Sequence, residues 1–322
     1  MLLYFLFIIG FVLLIKGADV LVEGASSVAR RFGLSEMVVG LTIVSFGTSL
    51  PELIINVLSS LQGQSELAIG NVFGSNVANL LLILGISSLI CPLPIKRNTI
   101  LTELPFSLIA TLLVGFLANA TLLHNREELY ISRLDGAILL FFFVLFMVYI
   151  YHIAKTNKEE VRAQQETAEA VMPTGKAVLL IVLGAAGLFI GGKWVVDGAV
   201  HIAESFGLSE SFIGLTIVAI GTSLPELVTS AMAAYRRNID IAVGNVIGSN
   251  IFNLLWILGV SALIRPLPFD VVSNSDIVMM IIASTLVILA MPFGRKNAID
   301  RWSGIFFLLV YFSYIVYLTL RG

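Results

Sequence analysis

Charge is what this sequence has least of. Lys, Arg, Asp and Glu make up 12% of its 322 residues, about half the share of a soluble domain, roughly 25%. With 58% hydrophobic residues and a mean hydropathy of +0.98, this deficit excludes a soluble protein and confines the charges to loops between membrane spans. The single cysteine, Cys91, cannot close an internal disulfide, so no oxidising compartment is implied. It reads as a small apolar residue near a helix end. No basic run suits nucleic acid. No G-x-x-x-x-G-K-[ST] loop is present to cradle ATP, and no G-x-S-x-G elbow marks a hydrolase. Neither Ser49 nor Ser223 has His or Lys beside it, so the chain does not read as an enzyme and needs no cofactor. The N-terminus is apolar from the start and lacks a basic n-region. It therefore reads as a retained span rather than a cleaved signal.

What is there is long apolar segments. A span needs roughly 20 mostly apolar residues. The chain divides into ten: 2–28, 37–60, 66–90, 100–120, 131–152, 175–203, 211–234, 240–263, 274–292 and 303–320. The one long polar interruption, Lys155 to Met172, reads as a soluble connector. Cytoplasmic loops collect Lys and Arg. With the N-terminus outside, thirteen basic loop residues lie inside, Arg30, Arg31, Lys96, Arg97, Arg236 and Arg237 among them. Four lie outside: Arg126, Arg133, Arg265 and Arg321. Both termini are then outside and the connector is cytoplasmic.

The most informative feature is a repeat. Residues 17–94 align without gaps with 191–268 at a constant offset of 174. GLSEMVVGLTIVSFGTSLPEL (33–53) faces GLSESFIGLTIVAIGTSLPEL (207–227), and AIGNVFGSNVANLLLILG (68–85) faces AVGNVIGSNIFNLLWILG (242–259). Even Pro92-Leu93-Pro94 recurs as Pro266-Leu267-Pro268. The expected fold is an all-α membrane protein of ten helices in two inverted five-helix repeats. Residues 1–153 form the first half, 154–173 the connector and 174–322 the second half. An odd number of spans per half inverts the second copy. Inverted repeats are a hallmark of secondary transporters, whose site lies near the midplane between the copies.

Two motifs carry the chemistry. GTSLPE, at Gly47–Glu52 and Gly221–Glu226, puts two carboxylates at membrane depth, where a charge is costly unless it meets a partner such as a cation. Pro51 and Pro225 lack an N–H, so the carbonyls of Gly47 and Gly221 lose their helical donors. Freed carbonyls at this depth are tolerated inside protein or beside a hydrated cavity, and they are oxygen ligands for hard cations. Thr48, Ser49, Thr222 and Ser223 add hydroxyls. GNxxGSNxxN, at Gly70–Asn79 and Gly244–Asn253, places Ser75 with Asn79, and Ser249 with Asn253, on one helix face each. Asn71, Asn76, Asn245 and Asn250 read as packing or capping residues, and Asn79 and Asn253 as ligands. Glycines 70, 74, 244 and 248 suit close backbone approach. The sum is an oxygen cage with two carboxylates, suited to a calcium ion, which takes six to eight oxygens. His124, His152 and His201 fall outside both motifs, which argues against zinc or copper. Asp19, Glu23 and Asp197 read either as an ion entrance or as helix-end charges and salt bridges. Lys16 and Lys193 snorkel or pair with such acids.

At these duplicated motifs the sequence resembles the calcium/cation antiporter superfamily, and most closely its short prokaryotic sodium/calcium exchangers. The resemblance covers both halves. It implies ten helices, four cation subsites between the second and third helices of each half, and electrogenic exchange of several Na⁺ for one Ca²⁺ by alternating access. In that scheme the two long first helices slide across a fixed core. By motif position it implies Glu52 and Glu226 as the shared carboxylates, and Thr48, Ser49, Thr222 and Ser223 as ligands, together with the backbone at Ser45 and Ala219. Ser75, Asn79, Ser249 and Asn253 complete the ring. Some members, including potassium-dependent ones, carry Asp where this chain has Asn253, so its exchange is expected to be independent of potassium. The expected partners are the bilayer, Na⁺ and Ca²⁺, with a monomer in the cell membrane sufficing for function. Two alternatives stay open: proton-coupled calcium exchange through the same carboxylates, and, from another class, a cation channel.

Overall fold

The computed structural model describes residues 2–96, 99, 101–120, 129–156, 172–206, 219–293 and 298–321. Most of the expected connector and the stretch 207–218, which repeats 33–44, lie outside the described residues. Among those described, seven helices are long and apolar enough to cross a membrane, or eight if the bent pair Glu36–Thr48 and Leu50–Gln62 is one span.

In chain order these are α1 (Leu2–Phe32), α2 (Glu36–Thr48), α3 (Leu50–Gln62), α4 (Ser65–Ile90), α5 (Glu103–Asn119), α6 (Arg133–Thr156) and α7 (Thr174–Ser205). They continue with α8 (Ala219–Thr222), α9 (Leu224–Tyr235), α10 (Ile239–Ile264), α11 (Asn274–Phe293) and α12 (Arg301–Arg321). The apolar helix α5 is shorter than the seven.

The helices sort by burial. In α4 and α10 the most apolar stretch is 78% buried, whereas the other five long helices bury a third of theirs or less. They turn Phe11, Ile15, Phe141, Val148, Val182 and Phe312 outward. That is the arrangement expected of a protein whose solvent is hydrocarbon: apolar residues outside cost nothing, and the interior is where polar groups find one another.

α1 and α7 run antiparallel in backbone contact. Glycines recur every seventh residue at their seam, so the partner carbonyl replaces a side chain. A Cβ at Gly10 would stand 2.9 Å from the Gly191 oxygen, one at Gly17 2.9 Å from the Gly184 oxygen, and one at Gly24 2.8 Å from the Ala177 oxygen. No branched residue fits at this distance, so glycine is required there.

The repeated Pro-Leu-Pro segments have a role the sequence did not suggest. Leu93–Pro94 (β1) pairs antiparallel with Ala298–Ile299 (β4), and Tyr130–Ile131 (β2) with Leu267–Pro268 (β3). Each two-residue strand of one half thus binds the other half. The helices that follow β2 and β4 are capped by the same two residue types in exchanged order. Ser132 donates from N and Oγ to Asp135 at 2.7 and 2.6 Å. Ser303 donates from N and Oγ to Asp300 at 2.9 and 2.8 Å. Asp300 thus caps a first-turn N–H of α12, while Ser132 Oγ accepts from Asp135 N at 3.2 Å and Asp135 reaches back to the Ser132 N–H.

Candidate cation site

The helix breaks where the two prolines demand it. α2 and α3 meet at Ser49 (φ −84°, ψ 9°) with a 49° bend, and α8 and α9 meet at Ser223 (φ −89°, ψ 6°). Pro51 and Pro225 each occupy the first turn of the following helix, where a missing N–H costs nothing. Glu52 and Glu226 then fall in the first turn, near a helix N-terminus that favours negative charge. Upstream, Gly40–Val44 is wound as a π-helix. So are Ala78–Ile83 and Phe252–Ile257, the segments that carry Asn79 and Asn253. Short π-turns recur at functional sites because they re-aim side chains within a helix.

Every site residue whose side chain is described is buried. Glu52, Thr48, Ser49 and Ser249 are 0% exposed, and Glu226, Ser45, Ser75, Asn79 and Asn253 are 1% exposed; Ser223 and Thr222 are also buried. Ser49 Oγ donates to Glu226 Oε1 at 2.8 Å and lies 3.0 Å from Ser249 Oγ. Thr48 Oγ1 donates to Asn245 Oδ1 at 3.0 Å, with the Ser45 carbonyl at 3.3 Å. In the mirrored position Thr222 Oγ1 donates to Asn71 Oδ1 at 3.3 Å. The GTSLPE motif of each half is therefore tied to the GNxxGSNxxN motif of the other.

The asparagines form a crossed brace. Asn79 Nδ2 donates to Asn250 Oδ1 at 3.0 Å, and Asn253 Nδ2 donates to Asn76 Oδ1 at 3.1 Å. Asn76 and Asn250 in turn donate to each other's backbone carbonyls at 3.3 and 3.4 Å. Each ligand candidate spends its amide N–H on the brace and keeps Oδ1 unpartnered. Both Glu52 carboxylate oxygens, Glu226 Oε2, Asn79 Oδ1, Asn253 Oδ1, Ser75 Oγ and Ser223 Oγ are buried with no hydrogen-bond partner. Native interiors rarely leave such groups unsatisfied. Other such groups occur elsewhere among the described residues, but these seven are oxygens able to accept, gathered in the two mirrored motifs, the donor set of a hard cation. Among the described residues no group of three His, Cys, Asp or Glu side chains gathers for a metal.

Two residues that the sequence reading passed over brace the backbone and an amide beside the carboxylates. Asn56 Nδ2 donates to the Glu52 carbonyl at 2.9 Å. At the mirrored position Ser230 Oγ accepts from Asn245 Nδ2 at 2.9 Å. The clue was available, since Asn56 lies one turn after Glu52. Of the four motif glycines, Gly244 and Gly248 make close backbone approaches: a Cβ there would lie 2.9 Å from the Met37 oxygen and 2.7 Å from the Leu41 oxygen. Gly70 and Gly74 make no such contact among the described residues. Ala219 opens α8, and Ser223 N bonds the Ile220 carbonyl rather than repeating the Ser49 N to Ser45 carbonyl bond.

The model of the family described as sodium/calcium exchanger protein matches residues 2–152 and 176–320. The chain belongs to the sodium/calcium exchanger family. It is 38% identical over 298 residues to the inner membrane protein YrbG of Escherichia coli (strain K12), covering 91% of this chain and 89% of that one. It is 33% identical over 345 residues to the sodium/calcium exchanger MaX1 of Methanosarcina acetivorans, covering 98% of each. A solved structure of the sodium-calcium exchanger NCX_Mj, soaked with zero Na⁺ and Ca²⁺, superposes with a TM-score of 0.80 at 33% identity over 98% of this chain and 99% of that one. The protein is thus a multi-pass membrane antiporter of the cation/Ca²⁺ class and not an enzyme. Its family uses no cofactor, and Na⁺ and Ca²⁺ are its transported substrates.

Proposed function

We propose that this exchanger trades Na⁺ for Ca²⁺ by alternating access, electrogenically and without K⁺. The observation that carries the reading is the set of buried, unpartnered oxygens contributed by both halves: Glu52, Glu226, Asn79, Asn253, Ser75 and Ser223. Thr48, Ser49, Thr222, Ser249 and the backbone at Ser45 and Ala219 complete the ligand set. Two carboxylates balance one divalent ion or two to three monovalent ones, so the loads compete for the same charge. An amide at Asn253 withholds the third acid that co-transport of K⁺ would call for.

The proposed architecture has ten spans. The eight counted with the bent pair are joined by α5 and by a second bent pair, α8–α9, whose leading part lies outside the described residues. The halves are residues 1–153 and 174–322, inverted, with the connector 154–173 cytoplasmic and both termini outside in the cell membrane. The strand pairs support this: β1 and β4 both fall in loops assigned inside, and β2 and β3 in loops assigned outside. A monomer suffices, because one chain supplies both halves of the cage. The test is Ca²⁺ uptake into proteoliposomes under an imposed Na⁺ gradient, a pH gradient or a K⁺ gradient. Uptake driven by Na⁺ alone is expected, stimulated by an inside-positive potential because more than two Na⁺ leave for each Ca²⁺ that enters. Uptake driven by the pH gradient would replace this reading with proton coupling, and single-channel current steps would replace it with a pore.

A further inference from the structure

The two halves are alike in their motifs but not in the polar contacts at the ends of their long helices. Arg236, in the turn between α9 and α10, reaches across to α1. Its guanidinium pairs with Asp19 and lies 4.0 Å from Glu23. Asn238 Nδ2, in the same turn, donates to Ser26 Oγ at 2.7 Å. On this face Lys96 also pairs with Asp240 at 2.5 Å. Neither the ion pairs nor the Asn238–Ser26 bond can form at the positions related by the repeat, where Glu23 alone keeps its charge, as Asp197. Arg236 corresponds to Gln62, Asp19 to Lys193, Asn238 to Gln64 and Ser26 to Val200, while Lys96 and Asp240 correspond to two acids, Asp270 and Glu66.

The space differs accordingly. Lys193, Val196 and Asp197 of α7 line a cavity of about 220 Å³ with Pro51, Thr222 and Pro225, next to the helix breaks of the cage. Val22, which corresponds to Val196, is fully buried. Among the described residues, the first-half helix is closely packed at Val22 where the second-half helix lines this cavity at Val196.

We propose that Arg236 with Asp19 and Glu23, backed by Asn238 with Ser26, is a one-sided latch. It holds α1 against the α9–α10 turn, closes the cytoplasmic route to the cage and biases the resting transporter toward opening at Lys193 and Asp197. The latch rests on the alternating-access reading above. Its charges are about two-thirds buried, so breaking the pair leaves an acid poorly solvated as well as unpaired. A bare topological role for Arg236 as a cytoplasmic cation makes a different prediction, since it does not involve Asp19.

The test uses the full chain with Cys91→Ser and Val22→Cys, in inside-out vesicles, and reads the rate of alkylation by a membrane-impermeant maleimide. Asp19→Asn, which keeps every basic residue, is expected to speed alkylation roughly three- to tenfold, and Arg236→Gln to do the same. The charge exchange Asp19→Arg with Arg236→Asp should restore the slow rate. If Arg236→Gln does not fold, Asp19→Asn alone decides. A rate within about twofold of the parent in Asp19→Asn, in a protein whose labelling still responds to replacing Na⁺ by Ca²⁺, overturns the latch and leaves alternating access standing. Labelling that responds to neither ion in any variant overturns both.

Discussion

The cage predicts an unusual result for Glu52→Gln: a protein that folds at least as well as the parent without cations and no longer responds to Ca²⁺. Both Glu52 oxygens are buried and unpartnered, whereas Glu226 keeps a hydrogen bond from Ser49. Removing a buried group whose charge nothing in the protein offsets should not cost stability in the cation-free state. Binding is another matter. A unit charge pair 4 Å apart is worth about 4 kcal/mol at an effective dielectric constant near 20, and a divalent ion doubles this to about 8. Desolvation of both partners returns more than half. A net loss of about 3 kcal/mol remains, which weakens Ca²⁺ binding by roughly a hundredfold or more. The assay is thermal unfolding of the purified protein across a Ca²⁺ titration, paired with Na⁺-driven Ca²⁺ uptake. At a Ca²⁺ concentration 100 times the parent's Kd, ligand binding stabilises the parent by about 2.7 kcal/mol, and a hundredfold weaker mutant by only about 0.4 kcal/mol. A mutant with the parent's Ca²⁺-induced shift and the parent's uptake would refute the assignment of Glu52 to the cage.

The remaining predictions probe the asymmetries and the seam. Ser49→Ala strips Glu226 of its hydroxyl donor, and Ser223→Ala removes a hydroxyl with no partner. In cation-free buffer the first should lower stability by about 1–3 kcal/mol and the second should not, as read by thermal unfolding; equal effects would contradict the arrangement. Asn253→Asp sets two acceptors against each other at the Asn76 brace. It should destabilise the empty protein by about 1–3 kcal/mol and regain stability on adding Ca²⁺, whereas an unchanged melting curve counts against the brace. Gly17→Ala drives a Cβ to 2.9 Å from the Gly184 oxygen; it should cost about 1–3 kcal/mol and slow exchange, and normal uptake would show that the α1–α7 seam is looser than it is drawn.

The sequence carried the duplication, the helix breaks and the buried oxygen-bearing residues of the candidate site, because each has a local signature: a constant offset, a proline inside an apolar run, a carboxylate at membrane depth. It did not carry how the halves rotate against each other. A repeat says that Asn76 and Asn250 are equivalent; it does not say that Asn250 holds Asn79 while Asn76 holds Asn253. Nor has the extra residue of a π-turn any side-chain pattern, so the windings at Ala78–Ile83 and Phe252–Ile257 could not be read in advance. Asp19 and Glu23 were legible only as two alternatives, and Arg236 decides for the salt bridge. The common reason is that these contacts lie between residues far apart in the chain, where spacing has no bearing. That has a consequence for the cage itself. In the proposed cage each ligand amide is oriented by an asparagine of the other half, so neither half alone would fix a donor set for the ion. On this reading the site forms only where the two copies meet, which is also where a shift of one copy against the other would dismantle one face of it while keeping the carboxylates in reach of the ion.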